Sequence, residues 1–379
     1  MKIVYILDTL ARVGGVERIM ADKMNWLAAN GHEVTLITAA QGQHPHSFRL
    51  SDNVRHVDID ARFHVQYRYG YPMRLWVRWR MNRRFQRNLN REISATDPDV
   101  IIATTYYKAD VVCSLRCRAA KIVESHCARS FTGRRDGVTR GRVVRWFHYF
   151  FLDRYIRRIE QRADVVVALT DGDAREWSKA RSVCVIPNVY NNECAVPACR
   201  GFKRVIAAGR LVYQKGFDML IEAWRTVAER HPDWTLDIFG AGEKETELKR
   251  LIDRLALSGS ISIKGPTKRI IEEFSGSDVF VLSSRSEGFG LVLIEAMSCG
   301  TPCVSFDCPY GPADIIRDHE DGILVENGNV QRLAEAIIYL IEHEEERRAY
   351  GLRAAENVKR FLPDRVMPRW VALFEGLVK

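Results

Sequence analysis

Val279-Phe280-Val281-Leu282-Ser283-Ser284-Arg285-Ser286-Glu287-Gly288-Phe289-Gly290-Leu291-Val292-Leu293-Ile294-Glu295-Ala296 joins an apolar run to a second apolar stretch through a glycine-bearing loop. Val279–Ser283 reads as a buried strand and Leu291–Ser298 as a helix, so the glycines fall where a strand hands over to a helix. Glycines around Phe289 bare several backbone N–H groups at the positive end of that helix, a natural seat for a phosphate. Glu287 ends the loop, and Glu295 lies about one to two turns into the helix. A carboxylate beside phosphate alone is out of place, whereas sugar and ribose hydroxyls pair well with carboxylate acceptors. A ligand carrying both phosphate and hydroxyls is therefore implied. On this segment alone the plainer alternative stays open, with one glutamate at a helix entry and the other on a helix face.

The same alternation extends in both directions. Val205–Ala208, Thr235–Phe239, Ser260–Ile263, Cys303–Phe306 and Ile323–Val325 read as further strands. Helices are predicted over 216–230, 243–255, 330–342, 344–358 and 365–377. Towards the amino terminus, Ile3–Leu7, Glu33–Thr38, Val100–Thr104, Lys121–Glu124 and Val165–Leu169 form a second strand set, with a helix predicted over Val16–Asn30. Between the two sets, Ile186-Pro187-Asn188-Val189 through Asn191, Asn192, Pro197 and Gly201 loses periodicity and reads as a linker. The fold class is α/β, with two doubly wound parallel sheets, and such sheets bind ligands at the carboxyl ends of their strands.

Composition agrees with this division. The 379 residues are too many for one ordinary core, and 46% hydrophobic with 28% charged residues is a globular balance that excludes global disorder and a fibrous fold. No apolar run reaches the roughly 18–20 residues a membrane span needs. Met1-Lys2 leads directly into a strand ending at Asp8, too short and too soon acidic for a signal peptide, so a cytoplasmic location is expected. Nine cysteines lack zinc spacing and read as reduced small hydrophobes.

Two more glycine-flanked turns could meet an anion. Gly14-Gly15 opens the helix after the first strand, without the third glycine of a dinucleotide fingerprint; a plain strand-to-helix turn explains it equally well. Gly209-Arg210-Leu211-Val212-Tyr213-Gln214-Lys215-Gly216 holds two cations that could converge on one diphosphate, or could simply be solvated. Asp58-Ile59-Asp60 and Asp171-Gly172-Asp173 have a metal-like spacing. Thr170 before the second makes it a helix cap, the first lies in a strand-like stretch, and no metal is expected at either.

Gly14-Gly15-Val16-Glu17, Ala163-Asp164 through Thr170, Val185-Ile186-Pro187-Asn188, Gly209-Arg210 with Lys215-Gly216, Gly240-Ala241-Gly242 and the Glu287–Glu295 spacing occur in one order over nearly the whole chain. Together they resemble the retaining glycosyltransferases of family 4, which have the GT-B fold: two Rossmann-like domains facing across a cleft. The resemblance implies an acceptor-side domain over 1–187, to which a C-terminal helix, 364–379, returns. A domain over 188–363 would bind the nucleotide-sugar donor. Arg210 and Lys215 would grip the diphosphate, Glu295 the ribose and Glu287 the donor sugar. The amides of Phe289, Gly290 and Leu291 would lie near phosphate or sugar, Ile263, Lys264 and Gly265 near the base, and Gly14 and Gly15 near the donor phosphate. His126 matches a histidine that faces the sugar, although Cys127 replaces the asparagine common in relatives. The catalytic set implied is Glu287, His126, Arg210 and Lys215. No cofactor is expected, since the nucleotide-sugar, UDP-based on this reading, is a substrate.

The charge is uneven. Residues 1–185 carry 32 Lys and Arg against 19 Asp and Glu, and the remainder 25 against 29. Arginines 74, 78, 80, 83, 84, 87 and 91 surround Trp76 and Trp79, beside a stripe of Met73, Val77, Met81, Phe85, Leu89 and Ile93. A second basic-aromatic stretch runs from Arg134 to Phe151. Such helices suit an anionic membrane surface or a lipid-linked pyrophosphate, and no nucleic-acid-binding signature accompanies them. A helix packing one face and solvating its arginines on the other is the plainer reading. The expected function is sugar transfer to a glycan or lipid-linked acceptor in polysaccharide or lipid-linked glycan synthesis, peripheral on the inner face of a membrane. The rivals are a non-catalytic nucleotide-sugar or anionic-lipid binding protein of the same fold and a UDP-sugar epimerase.

Overall fold

A computed structural model describes residues 1–12, 14–61, 63–105, 107–130, 142–191 and 201–378, with only the backbone of 64 and 142–148. The chain forms two compact units, Met1–Val189 with Pro363–Lys379, and Tyr190–Leu362. The linker expected over 186–201 falls partly on 192–200, outside the described residues.

The first unit holds β1 (Lys2–Leu7), β2 (Glu33–Thr38), β3 (Val54–Asp58), β4 (Val100–Thr104), β5 (Ala120–Ser125), β6 (Val165–Ala168) and β7 (Val183–Val185), in spatial order β3-β2-β1-β4-β5-β6-β7. Every pairing is parallel; Ile3 stands opposite both Val34 and Val100. Helices cover both faces of such a sheet, so its central strands are apolar almost throughout rather than alternating. β1, β2 and β4 are buried along nearly their whole length. The two strands that sequence patterning left unassigned, β3 and β7, are the sheet edges. With a partner on one side only they are partly exposed; β3 mixes polar with apolar residues, and β7 is only three residues long.

The second unit holds β8 (Arg204–Ala208), β9 (Thr235–Phe239), β10 (Ile261–Ile263), β11 (Val279–Leu282), β12 (Cys303–Asp307) and β13 (Gly322–Glu326), in order β10-β9-β8-β11-β12-β13, again all parallel. Its core joins sheet residues such as Val205, Leu236 and Val304 to Leu220 and Trp224 of the helix Phe217–Arg230 and Ile337 of the helix Val330–Glu342. Buried side chains of this size each contribute about 1.5–3 kcal/mol. Pro363, where a break between helices is expected, opens the last helix, Pro363–Val378, at the position where a missing N–H costs nothing.

Helix α1 (Gly15–Ala29) follows β1, and α2 (Met73–Thr96) precedes β4. Of the apolar stripe on α2, only Phe85, Leu89 and Ile93 are buried. A four-residue spacing turns about 40° further round the helix at each step, so a stripe of six cannot face one core. The first turns therefore leave the unit's surface with Met73, Leu75, Trp76 and Trp79 exposed.

Candidate functional site

In the second unit, β8 and β11 lie side by side where the strand order reverses, the crevice position of doubly wound sheets. The loops leaving these two strands, 209–216 and 283–290, build the site. The stem of Lys215 lies over Gly209, where a Cβ would make an ordinary contact at 3.4 Å. Lys215 ends a short turn, Tyr213–Lys215, and its Nζ donates to Glu287 Oε1 at 2.6 Å. Ser284 Oγ donates to the same oxygen at 2.5 Å. The two charged side chains are only 15% and 9% exposed, so their attraction is little screened.

Further hydrogen bonds bind the loops together, among them Arg285 Nη1 to the Tyr213 carbonyl at 2.8 Å. Gln214 Nε2 donates to the Ser286 carbonyl at 2.7 Å, Arg285 N to the Gln214 carbonyl at 2.8 Å and Ser283 Oγ to the Lys215 carbonyl at 3.1 Å. Arg285 also forks onto Asp218 at 2.9 and 2.6 Å and lies over the Tyr213 ring at 4.1 Å. Gly216 adopts φ +63°, and a Cβ would come within 2.0 Å of the Ser283 carbonyl oxygen, so the close approach of the loops requires glycine.

A third loop, after β12, braces the pair. Glu287 N donates to the Pro309 carbonyl and Tyr310 N to the Glu287 carbonyl, at 2.9 and 3.0 Å. Burial pushes the Cys308 thiol up to about 12, the Glu287 charge adding to this and Lys215 opposing it. Phe289 is buried edge-on against Phe361 at 5.6 Å, so its backbone and not its ring faces the helix entry. Gly290, at φ +97°, precedes the helix Leu291–Ser298, whose first N–H groups have no intrahelical partner by construction. Glu295 lies half-buried on that helix. Thus the structure brings Lys215 and Glu287 together, Glu287 standing two residues before the 289–291 backbone, with Glu295 on the helix which that backbone opens. Arg210 leaves the same loop but is exposed. Ile263, Lys264 and Gly265 lie at the end of edge strand β10, two strands from β8, with Lys264 Nζ 3.6 Å from Asp237.

In the first unit, Gly14 caps α1 in extended conformation, and a Cβ there would fall 2.4 Å from Glu17 Oε2. The Glu17 carboxylate thus lies against the turn read as an anion seat, and Gly15 is the first helical residue. His126, directly after β5, is buried, with Nε2 3.0 Å from Glu124 Oε2. The other oxygen of Glu124 accepts from Lys23 Nζ at 2.6 Å. Burial raises the Glu124 carboxyl, but Lys23 and His126 outweigh it, and the net shift is downward. Sequence reasoning missed Lys23, Glu124 and Ser284. Glu124 could have been found as the residue two before His126, on the same strand face by the period of two. Lys23 had no such signal.

The two aspartate pairs serve structure. Asp58 accepts from Gly42 N at 2.7 Å, and Asp60 pairs with Arg84 at 3.6 Å. Thr170 Oγ1 accepts from Asp173 N at 3.1 Å, the cap expected, while Asp173 Oδ1 accepts from Arg129 N at 2.7 Å. Residues 131–141 and the side chains of 142–148, which carry most of the second basic-aromatic stretch, lie outside the described residues; Phe150 and Phe151 beyond them are exposed.

Residues 13–193 match Glycosyltransferase Family 4, and residues 199–357 match the glycosyl transferases group 1. The amylovoran biosynthesis glycosyltransferase AmsD of Erwinia amylovora is 25% identical over 97% of this chain and 98% of its own. An exopolysaccharide phosphotransferase of Streptomyces coelicolor is 36% identical over 57% of this chain, which spans only 24% of that protein. A crystal structure of a Staphylococcus aureus TarM mutant, in complex with fondaparinux, alpha-GlcNAc-glycerol and UDP, has the same fold: TM-score 0.77, 15% identity, covering 98% of this chain and 99% of that one. The chain belongs to the family 4, group 1 glycosyltransferases, and is a glycosyltransferase of the GT-B fold.

Proposed function

We propose that this enzyme transfers a hexosyl or N-acetylhexosaminyl group from a UDP-sugar to a glycan or lipid-linked acceptor, with retention of anomeric configuration, in polysaccharide or lipid-linked glycan synthesis. The observation that carries the reading is the Lys215–Glu287 pair, held at the β8/β11 crevice beside a helix entry. Breaking the bond between the anomeric carbon and the diphosphate leaves negative charge on the leaving oxygen. Lys215, Arg210 and the amides of Gly290 and Leu291 supply the compensating positive field, the role a metal plays elsewhere. Glu287 accepts Lys215 and Ser284 on Oε1 and offers Oε2 to a sugar hydroxyl. Glu295 takes the ribose hydroxyls, the 263–265 backbone the base, and the Gly14-Gly15 turn the donor phosphate. UDP as the nucleotide is supported by its presence in the related TarM complex. Retention is supported by family membership, and the glycan setting by AmsD. Among the described residues no helix is long and apolar enough to cross a membrane, and the enzyme meets its acceptor from the inner membrane face through its basic first unit.

The test is nucleotide release from UDP-GlcNAc, UDP-glucose and UDP-galactose beside GDP-mannose and ADP-glucose, with and without EDTA. Turnover of a UDP-sugar that survives EDTA is expected. Release from only the GDP or ADP donors would overturn the base assignment, loss in EDTA the metal-free mechanism, and absence of all turnover the donor reading.

A further inference from the structure

Three charged or titratable side chains, one from α1 and two from β5 and its end, meet in the interior of the first unit. Lys23 of α1, Glu124 of β5 and His126 have side-chain exposures of 2%, 1% and 1%. Each carboxylate oxygen serves one partner, Oε1 the ammonium and Oε2 the imidazole Nε2. The Lys23 ammonium also lies 3.3 Å from the centre of the Trp370 ring, on the helix Pro363–Val378, and 5.8 Å from that of Tyr5 on β1. Neither aromatic supplies a hydrogen bond to it: the Tyr5 hydroxyl and Trp370 Nε1 are buried and have no hydrogen-bond partner among the described residues.

Stability alone does not explain this arrangement. A buried ion pair about breaks even with a well-packed apolar pair of the same volume, so its retention calls for another use. Its third member stands at the carboxyl end of β5, the end where doubly wound sheets bind ligands.

We propose that Glu124 and Lys23 are positioning residues for His126, holding its ring in one orientation and in the Nε2-protonated tautomer. An ionised carboxylate can only accept, so the imidazole must put its proton on Nε2, and its lone pair is then that of Nδ1. Lys23 keeps Glu124 ionised, and the Trp370 face stabilises Lys23 in turn. The C-terminal helix is thereby part of the histidine's support. Burial lowers the Lys23 ammonium to about 8, with Glu124 opposing the shift, which fits a cation whose charge depends on that single carboxylate. The inference rests on the reading of His126 as the group that meets the donor sugar.

The experiment uses the full chain labelled with ¹⁵N-histidine, the His126 signals being assigned by their loss in His126→Gln. Long-range ¹⁵N–¹H correlation should show the Nε2-protonated tautomer in the wild type. Lys23→Met, which removes the cation that holds Glu124 in place, should move the His126 signals away from the wild-type pattern. The neutral double variant Lys23→Met with Glu124→Gln, which leaves no unpaired buried charge if a single variant fails to fold, should show mixed tautomers. Mixed tautomers in the wild type, or the wild-type pattern unchanged in the double variant, would overturn the proposal. With UDP-GlcNAc as donor, the double variant should lose about 10- to 100-fold in kcat while KM moves by less than about twofold. Equal kcat in an enzyme whose spectra behave as expected would overturn the catalytic use of the arrangement. Expected spectra in a wild type that turns over no nucleotide-sugar would leave the tautomer assignment standing and remove the donor reading instead.

Discussion

Lys215 and Glu287 depend on each other. Each is largely removed from water, and each is the other's ion-pair partner at 2.6 Å. Lys215→Ala removes positive field from the leaving diphosphate and also strands the Glu287 carboxylate. Its kcat should fall about 10²- to 10³-fold, the usual cost of one preorganised charge-stabilising group. Lys215→Arg keeps the charge but not the compact ammonium that reaches Glu287 Oε1, and should recover only part of the loss. Steady-state UDP release with a thermal melt on the same samples measures this, and near-wild-type kcat in a folded Lys215→Ala enzyme would remove the residue from the mechanism. Glu295→Ala should instead weaken UDP binding about tenfold, the worth of one hydrogen bond to a charged acceptor, read by calorimetry. Both glutamates were readable from their spacing around the glycines. That Lys215 would pair with one of them was not, because nothing local connects the two loops.

Helix α2 shows a pattern that only partly becomes packing. Its last turns bury Phe85, Leu89 and Ile93, while its first turns present Trp76 and Trp79 to solvent, Arg80 lying over Trp76 and Arg83 over Trp79 at 5.6 and 4.3 Å. Indole rings with guanidinium groups on them suit the headgroup level of an anionic bilayer. Sedimentation with vesicles should show tighter binding to anionic than to neutral lipid, strengthening at low salt, and Trp76→Ala with Trp79→Ala should weaken it at least about tenfold. Equal binding to both vesicle types would end the membrane assignment. The arginine and tryptophan content was plain in the sequence; which end of the helix stays uncovered depended on the drift of the stripe against a core that sequence does not display.

Across the two units, buried titratable groups couple the fold to pH. Burial pushes the thiols of Cys113 in the first unit and Cys308 in the second up to about 12, and that of Cys184 to about 11, from 9.0. A thiol raised in the fold contributes stability in full below pH 9 and loses it as pH climbs towards the folded value. Lys23, lowered to about 8 from 10.5, runs the other way, its contribution lost as pH falls through about 8. Lys108, lowered by burial to about 8, acts as Lys23 does, and the three thiols outweigh the two lysines, so urea midpoints should fall between pH 9 and 11, less steeply in Cys113→Ala. A flat profile would contradict the burial of these groups. The parallel strand-and-helix order, the glycine turns and the Glu287–Glu295 spacing could be read along the chain, because side-chain periodicity and backbone freedom are properties of neighbours. The edge strands of the first sheet, the Lys215–Glu287 pair and the Lys23–Glu124–His126 cluster could not. The two ion pairs join residues 72 and 101 positions apart, and their charges meet, and matter, only where folded sheets bring the elements together and exclude the water that would otherwise screen them.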